Sequence, residues 1–253
     1  MAIRIYLTGR VGLEVEGELL VHERQFRGRQ ERVAFAYLVC ERGRPVTREE
    51  LADVIWPGEM PPAWQTGLSA IVSRLRSLLT VKELQAREVS ISRGFGQYRF
   101  FLPSDTWVDL EAATSALDAA EAALRAVDPK RAFGPAVVAA NITRRPLLSG
   151  DDGGWVSLER EKLARQRLRS LECLAKVWLS TGDPALAIEA AAEALAVDPF
   201  RESSYRLLMR AHADAGNPAE AVKAYHRLRE LLFAELGTDP STETEALYLE
   251  LLG

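Results

Sequence analysis

The stretch QTGLSAIVSRLRSLLTVKELQAREVSISRGFGQYRFFL, residues 65–102, decides how this chain is read. Its opening part places Leu68, Ile71, Val72, Leu75, Leu78 and Leu79 at helical spacing, so one apolar stripe runs along a helix over 65–80. The opposite face carries Ser69, Ser73, Arg74, Arg76 and Ser77. The pattern then changes to alternation. Glu88–Ser92 and Tyr98–Leu102 read as strands, joined by Arg93-Gly94-Phe95-Gly96-Gln97, a glycine-bearing hairpin tip flanked by arginine.

Upstream of this stretch, Val33, Ala34, Tyr37, Leu38 and Cys40 recur at helical spacing over 30–41, and Gly43 stops that helix. Thr47-x-x-Glu50 is a capping box opening a second helix with Leu51, Val54, Ile55 and Trp56. Pro57-Gly58 ends it, and a proline-rich loop, 57–62, leads into the third helix. Further upstream, 3–7, 11–15 and 18–21 read as short strands with turns at Gly9 and Gly12. Strands, three helices and a terminal hairpin are the order of a winged helix-turn-helix. Small hydroxyl residues let such a third helix approach a major groove closely. Arg74 can pair with phosphate or a guanine edge, and Arg93 can reach a minor groove or backbone. An Arg/Ser helix face by itself is equally a solvated face; the ordered set of elements is what favours DNA.

Hydrophobic residues make up 47% of the 253-residue chain and charged residues 27%, enough to build a folded core. No apolar run approaches the ~20 residues of a membrane span, and the opening segment is expected to be strand rather than signal peptide, which predicts a cytoplasmic protein. The net charge of −4 hides an asymmetry. Residues 1–103 carry +3 and residues 104–253 carry −7, the balance of a nucleic-acid reader joined to an acidic partner domain. Cys40 and Cys173 read as buried thiols, and His22, His212 and His226 have no metal-ligand spacing, so neither cofactor nor metal is expected.

From Asp109 onward the sequence is helical and alanine-rich: 110–127 is one helix, a less regular stretch holds Pro129, Gly134, Pro135 and Pro146, and a long helix covers 156–181. The acidic pair Asp151-Asp152 is expected in a flexible loop. Gly182-Asp183-Pro184-Ala185 then recurs as Gly216-Asn217-Pro218-Ala219, an offset of 34 residues and the tetratricopeptide period. Asp198-Pro199 and Asp239-Pro240 close successive units 41 residues apart, which predicts a longer last paired helix.

Gly28-Arg29-Gln30-Glu31-Arg32, Gly43-Arg44-Pro45-Val46-Thr47-Arg48-Glu49-Glu50-Leu51, Ile55-Trp56-Pro57, Ile71-Val72-Ser73-Arg74-Leu75-Arg76 and the segment Arg93 to Arg99 resemble the OmpR-type DNA-binding domain of SARP-family activators. Trp155-Val156-x-x-Glu159-Arg160, Asp198-Pro199-Phe200-Arg201-Glu202 and Glu235-Leu236-Gly237-Thr238-Asp239-Pro240-Ser241-x-Glu243-Thr244 resemble the bacterial transcriptional activator domain, BTAD, that follows it. The resemblance implies an α+β winged helix-turn-helix domain over 1–103 and an all-α, tetratricopeptide-like domain over 104–253. It also implies a third helix that reads the major groove, with Arg74 facing bases and Arg76 near the backbone. Trp64, Gly67 and Ala70 depart from the more polar first turns usual in the family, which bears on target sequence rather than fold.

The chain is therefore expected to be a promoter-binding transcriptional activator and not an enzyme, since it has no Walker, nucleophile-elbow, zinc or Rossmann pattern. The candidate DNA contacts are Thr66, Ser69, Ser73, Arg74, Arg76, Ser77, Arg93 and Arg99. The resemblance supplies direct-repeat sites, an oligomeric state and recruitment of RNA polymerase. The loop 57–64 is either the polymerase contact or a packed turn. The alternative is a sensing regulator whose helical domain binds a small-molecule or protein effector, with Tyr205, Arg206 and Arg210 as candidate lining. A scaffold without DNA affinity is the third reading.

Overall fold

Alternating apolar residues at the start of the chain build its first sheet. A computed structural model describes residues 3–253; Met1 and Ala2, the first two residues of the expected N-terminal domain, lie outside the described residues. Strands β1 (Ile3–Tyr6), β2 (Gly12–Val15), β3 (Glu18–His22) and β7 (Trp107–Val108) lie in the order β3-β2-β1-β7. β1 pairs antiparallel with β2, Ile5 opposite Leu13, and parallel with β7, Ile5 opposite Val108. Ile3, Ile5, Leu13, Val15, Val21 and Val108 all face inward and are buried.

Two compact units divide the chain: Met1–Ala112 with Arg145–Lys162, and Ala113–Arg144 with Leu163–Gly253. The expected boundary at 103/104 therefore does not coincide with the compact units. The first unit contains α1 (Arg29–Cys40), α2 (Arg48–Ile55), α3 (Trp64–Leu78) and the one-turn α4 (Lys82–Gln85). A second sheet, in the order β4-β6-β5, joins Val46–Thr47, Gln97–Phe101 and Ser90–Gly94. Thr47 caps α2 as the capping-box pattern predicts, its Oγ1 accepting from the Glu50 amide at 3.1 Å. Phe35 of α1 lies between Phe26 (5.3 Å between ring centroids) and Phe100 of β6 (5.8 Å), locking α1 to the hairpin. Burying one such ring is worth roughly 1.5–3 kcal/mol.

The segment 145–162 belongs to this unit because its backbone and charges are satisfied there. Leu147 bridges Thr8, and the Gly9 amide donates to the Pro146 carbonyl at 2.8 Å. Asp151 is fully buried and accepts from both Nη2 (2.8 Å) and Nε (3.1 Å) of Arg32. The flexible loop expected at Asp151-Asp152 is thus corrected: Asp151 is one half of a bidentate ion pair, with Asp152 beside it held by Arg160 at 3.0 Å. Asp109, immediately after β7, is also fully buried and accepts from the amides of Leu7, Thr8 and Leu110 and from the Thr8 hydroxyl, at 2.8–2.9 Å. Burial pushes its carboxyl above the usual carboxylate range, against the pull of those four donors.

In the second unit, α5 (Asp109–Arg125, of which the part from Ala113 belongs here) is followed by α6 (Pro129–Thr143), part of α7 (Gly154–Thr181), α8 (Pro184–Val197), α9 (Glu202–Asp214), α10 (Pro218–Leu236) and α11 (Thr242–Leu252). The 34-residue offset has a geometric counterpart. Gly182 and Gly216 end α7 and α9 with φ of +83° and +74°, and Asp183 and Asn217 donate back to Trp178 and His212 at 2.9 Å. Pro184 and Pro218 then start α8 and α10. The last paired helix is longer, as the 41-residue spacing predicts: α10 has 19 residues and α8 has 14. Fully buried Ala187, Ala191, Ala194 and Ala221 allow close helix approach. Glu172 of α7 accepts from Arg201 at 3.1 Å and Ser204 at 3.0 Å, and Glu202 accepts from the Ser241 amide at 2.9 Å at the start of α11.

The less regular stretch expected after residue 128 is helix α6, with Pro135 inside it. Pro135 lacks the N–H that the Arg131 carbonyl would accept, a cost sequence reading weighs heavily. Burial of Ala132, Ala136, Ala139 and Ile142 outweighs it. Cys173 is buried and Cys40 half-buried, both as free thiols; burial pushes Cys40 up to about 12. No helix of the described residues is long and apolar enough to cross a membrane.

Candidate nucleic-acid interface

The apolar stripe of α3 is buried through Leu68, Ile71, Val72 and Leu75, which leaves a polar stripe on the other side. Thr66, Ser73 and Ser77 are exposed and Ser69 is half-buried, each one helical turn from the next. Ser77 turns its hydroxyl back to the Ser73 carbonyl at 3.1 Å. Gly67 packs beside Trp56: a Cβ there would lie in ordinary contact with the Trp56 ring, at 3.4 Å. Trp56 and Trp64 are each half-buried, so neither is free in the loop 57–64 nor fully in the core.

The arginines of α3 are engaged differently from the serines. Arg74 donates through Nε to Glu31 of α1, whose side chain is 4% exposed and also accepts from the Arg27 amide at 2.9 Å. Arg76 donates through Nε to the Ile91 carbonyl at 2.6 Å, tying α3 to β5. Both residues therefore brace the unit through Nε, which leaves the outer guanidinium nitrogens of each for other contacts.

The hairpin is tighter than the sequence pattern suggests. β5 runs to Gly94 and β6 starts at Gln97, so only Phe95 and Gly96 make the turn, with φ of +50° and +73°. Two successive positive φ angles are the signature of a type I′ turn, whose twist matches the strands it joins. Ile91 and Phe100 face the core, while Arg99 is exposed on the outer face with its guanidinium 5.2 Å from the centre of the Phe101 ring. Arg93 is exposed near the tip. Neither Arg93 nor Arg99 has a carboxylate partner among the described residues.

Arg48 was not among the sequence candidates. Its amide donates to the Gly96 carbonyl at 3.1 Å, its Nη2 reaches the Gln65 carbonyl at 3.4 Å, and its guanidinium lies 5.8 Å from the centre of the Trp64 ring. It joins the hairpin tip to the start of α3. A second missed feature needs no structure to be seen. In a chain with 36 carboxylate side chains, α3 and the whole of 90–101 contain none. Acid-free runs of this kind would have marked both elements together.

Beside this face, Arg44 bonds Glu50, and Glu50 also accepts from the Tyr37 hydroxyl at 2.5 Å. Arg44, then Tyr37, hold the Glu50 carboxyl down at about 2 against the opposition of burial. Tyr37 is pushed up to about 12, by burial first and by Glu50 second.

In the helical unit, Tyr205, Arg206 and Arg210 do not converge. Tyr205 is 1% exposed and borders a groove with Leu195, Pro199, Leu208 and Arg227. Arg210 borders a different groove with Lys176, Asp214 and Leu247. Arg206 is tied to Thr244 at 2.9 Å and Glu243 at 3.0 Å. Around the helix, Arg206 and Arg210 point about 100° and about 140° away from Tyr205, and Arg206, only about 40° from Arg210, is taken up by Thr244 and Glu243. Among the described residues no group of three or more His, Cys, Asp or Glu is placed to hold a metal.

These features define a helix-rich protein with small N-terminal sheets and an acid-free helix-and-hairpin face. Residues 108–252, more than half of the chain, match the family described as the bacterial transcriptional activator domain, and the chain belongs to that family. Its curated relatives are transcriptional regulators of the SARP kind the sequence resembles. Regulatory protein AfsR of Streptomyces coelicolor is 31% identical over 99% of this chain, which spans 24% of that relative. Transcriptional regulatory protein MoaR1 of Mycobacterium tuberculosis is 27% identical over 88% of this chain and 72% of its own length. The chain spans about a quarter of the length of the first curated relatives it matches. A solved structure of Mycobacterium tuberculosis EmbR in complex with a low-affinity phosphopeptide has the same fold, with a TM-score of 0.86, 24% identity, and coverage of 99% of this chain and 65% of that one.

Proposed function

We propose that this chain is a sequence-specific, DNA-binding transcriptional activator. In this reading the first unit is a winged helix-turn-helix and the second a tetratricopeptide-like interaction domain. The observation that carries the proposal is the acid-free pair of elements, α3 and the β5–β6 hairpin, within a chain that is acidic overall. A polyanion is attracted to elements that carry no carboxylates of their own and on which Arg93 and Arg99 lack carboxylate partners among the described residues. Thr66, Ser69, Ser73 and Ser77 form the groove-facing stripe, short enough for α3 to seat deeply. Arg93, Arg99 and Arg48 contact phosphate or the adjacent minor groove. Arg74 and Arg76 act mainly as braces that hold α3 in register, with the outer nitrogens of Arg74 free to meet a base or phosphate.

The remaining parts of the reading extend it in line with the resemblance and with the composition and motifs of the chain. The chain works in the cytoplasm without a cofactor or catalytic activity, binds promoter direct repeats as a homo-oligomer, and helps recruit RNA polymerase. An effector recognised by Tyr205 or by Arg210 would meet one or the other, not both, since the two residues line different grooves.

The test is binding of the full chain to DNA from its own gene neighbourhood against random DNA across a salt series. Preference for one fragment with a steep salt dependence is expected. Arg93→Ala should weaken binding and reduce the magnitude of the slope of log K against log salt by about 1. Equal affinity for all fragments at every salt concentration would overturn the proposal.

A further inference from the structure

Phe95 stands fully in solvent at the tip of the β5–β6 hairpin, with an exposure of 106%. It is also the wrong residue for its place by local rules. Both central positions of a type I′ turn need positive φ, and Asn-Gly fills them with least strain. Here Phe95 is held at φ +50° ahead of Gly96 at +73°. A bulky apolar side chain thus sits where a small polar one would stabilise the turn better and keep apolar surface out of water. Neighbours do not explain it: Gly94 and Gly96 have nothing within 4 Å of where a Cβ would be, so the tip is open on both sides. Departures of this kind from local consistency concentrate at functional sites.

The surroundings indicate the occupant. Arg93 precedes the ring by two residues and Arg99 follows it on the return strand, and no carboxylate lies anywhere in 90–101. An apolar protein pocket would not call for two arginines without carboxylate partners beside it, whereas a minor groove would. Its narrow, strongly negative floor draws arginine, and an apolar side chain entering it can wedge between base pairs and partly unstack them.

We propose that Phe95 is an apolar wedge that enters the minor groove of bound DNA and opens one base step, with Arg93 and Arg99 holding the flanking backbone. The proposal rests on the DNA-binding reading and adds to it a residue and a deformation. Sequence preference then arises at a step that α3 never touches, because flexible pyrimidine–purine steps open most readily.

The deciding variant is Phe95→Asn, which keeps the turn and removes the ring. The probe is duplex DNA recovered from a random-sequence pool by the full chain, with 2-aminopurine placed at successive steps. Wild-type protein should raise 2-aminopurine fluorescence at one step on the hairpin side of the site. Phe95→Asn should melt at a higher temperature than wild type, lose that fluorescence, and bind about tenfold more weakly, with the salt slope unchanged because no charge is removed. Phe95→Leu should retain part of the signal. If wild type binds DNA and Phe95→Asn keeps both affinity and fluorescence, the wedge is overturned and the DNA reading stands. If Phe95→Asn binds and unstacks DNA normally yet loses transcriptional activation, the ring docks on protein and the wedge is again overturned. If the pool yields no bound DNA with wild type, both readings fall.

Discussion

At the residue scale, the arginine that sequence pattern singles out as a DNA contact is also one that the fold uses. Arg74 lies on the expected recognition helix, but its Nε satisfies Glu31, a carboxylate with almost no access to water. Replacing it with glutamate would set two acids against each other. Breaking a fully buried ion pair costs about 3–5 kcal/mol, and because Arg74 is about a third exposed the expected loss is smaller, roughly 2 kcal/mol. Urea unfolding of Arg74→Glu should show that loss before any DNA is added. Wild-type stability combined with lost DNA binding would instead make Arg74 a direct contact and not a brace. The Glu50 cluster gives a pH signature. Its folded carboxyl titrates at about 2 and its ordinary value is 4.5, so the unfolded chain takes up the proton first as pH falls. Its contribution is complete above about pH 5 and drains away between there and pH 2. The pair is part-exposed, so about 1 kcal/mol or less is at stake. Glu50→Gln should lower the melting temperature slightly at pH 7 and flatten its fall below pH 5; parallel profiles for the two proteins would rule the cluster out.

At the element scale, legibility followed how local the signal was. Strands β1 to β3, helices α1 to α3 and the turn-to-helix repeat at Gly182 and Gly216 are set by alternation, caps and punctuating glycines close together in sequence, and each was readable. β4 and β7 were not, because two-residue strands carry no period and exist only through partners 52 and 103 residues away, as in Val46–Tyr98 and Arg4–Trp107. The polar stripe of α3 was legible; the tethering of Arg74 and Arg76 was not, since Glu31 and the Ile91 carbonyl come from other elements. The hidden third copy of the repeat turn has a plain cause. At the end of α5, Asp128 donates back to the Ala123 carbonyl at 2.9 Å and Pro129 starts α6, as at Gly182 and Gly216, but the residue at the positive φ is Val127 (+57°). A β-branched residue is strained there. Val127→Gly relieves that strain at an 86% exposed position, at some cost in unfolded-state entropy. A net gain of about 1 kcal/mol is expected, read as a rise in melting temperature of the helical unit. A fall would mean that the backbone is not held at positive φ in solution.

For the whole molecule, the decisive fact is that chain order and compact unit are not the same thing. Composition and motif order suggest that a reader domain ends near residue 103, where the charge balance and the helical period both change. The first unit nevertheless depends on atoms that come later. Asp109 supplies the acceptor for two amides and a hydroxyl at Leu7 and Thr8, Leu147 bridges Thr8, and Asp151 neutralises Arg32. None of these can be inferred from periodicity, because each is a contact of a single residue with a partner more than a hundred residues away. Cutting at 103 leaves a buried hydroxyl and amides without acceptors, and each such group costs about 1–3 kcal/mol. Against a net stability of only about 5–15 kcal/mol for an ordinary domain, that loss is large. A fragment of residues 1–103 should therefore unfold at markedly lower urea concentration than a fragment of 1–162, with a less cooperative transition and weaker DNA binding at equal salt. Within the longer fragment, Asp109→Ala should reproduce much of the deficit. Equal midpoints for the two fragments would show that the reader domain is closed at residue 103 and that the later segment merely rests on it.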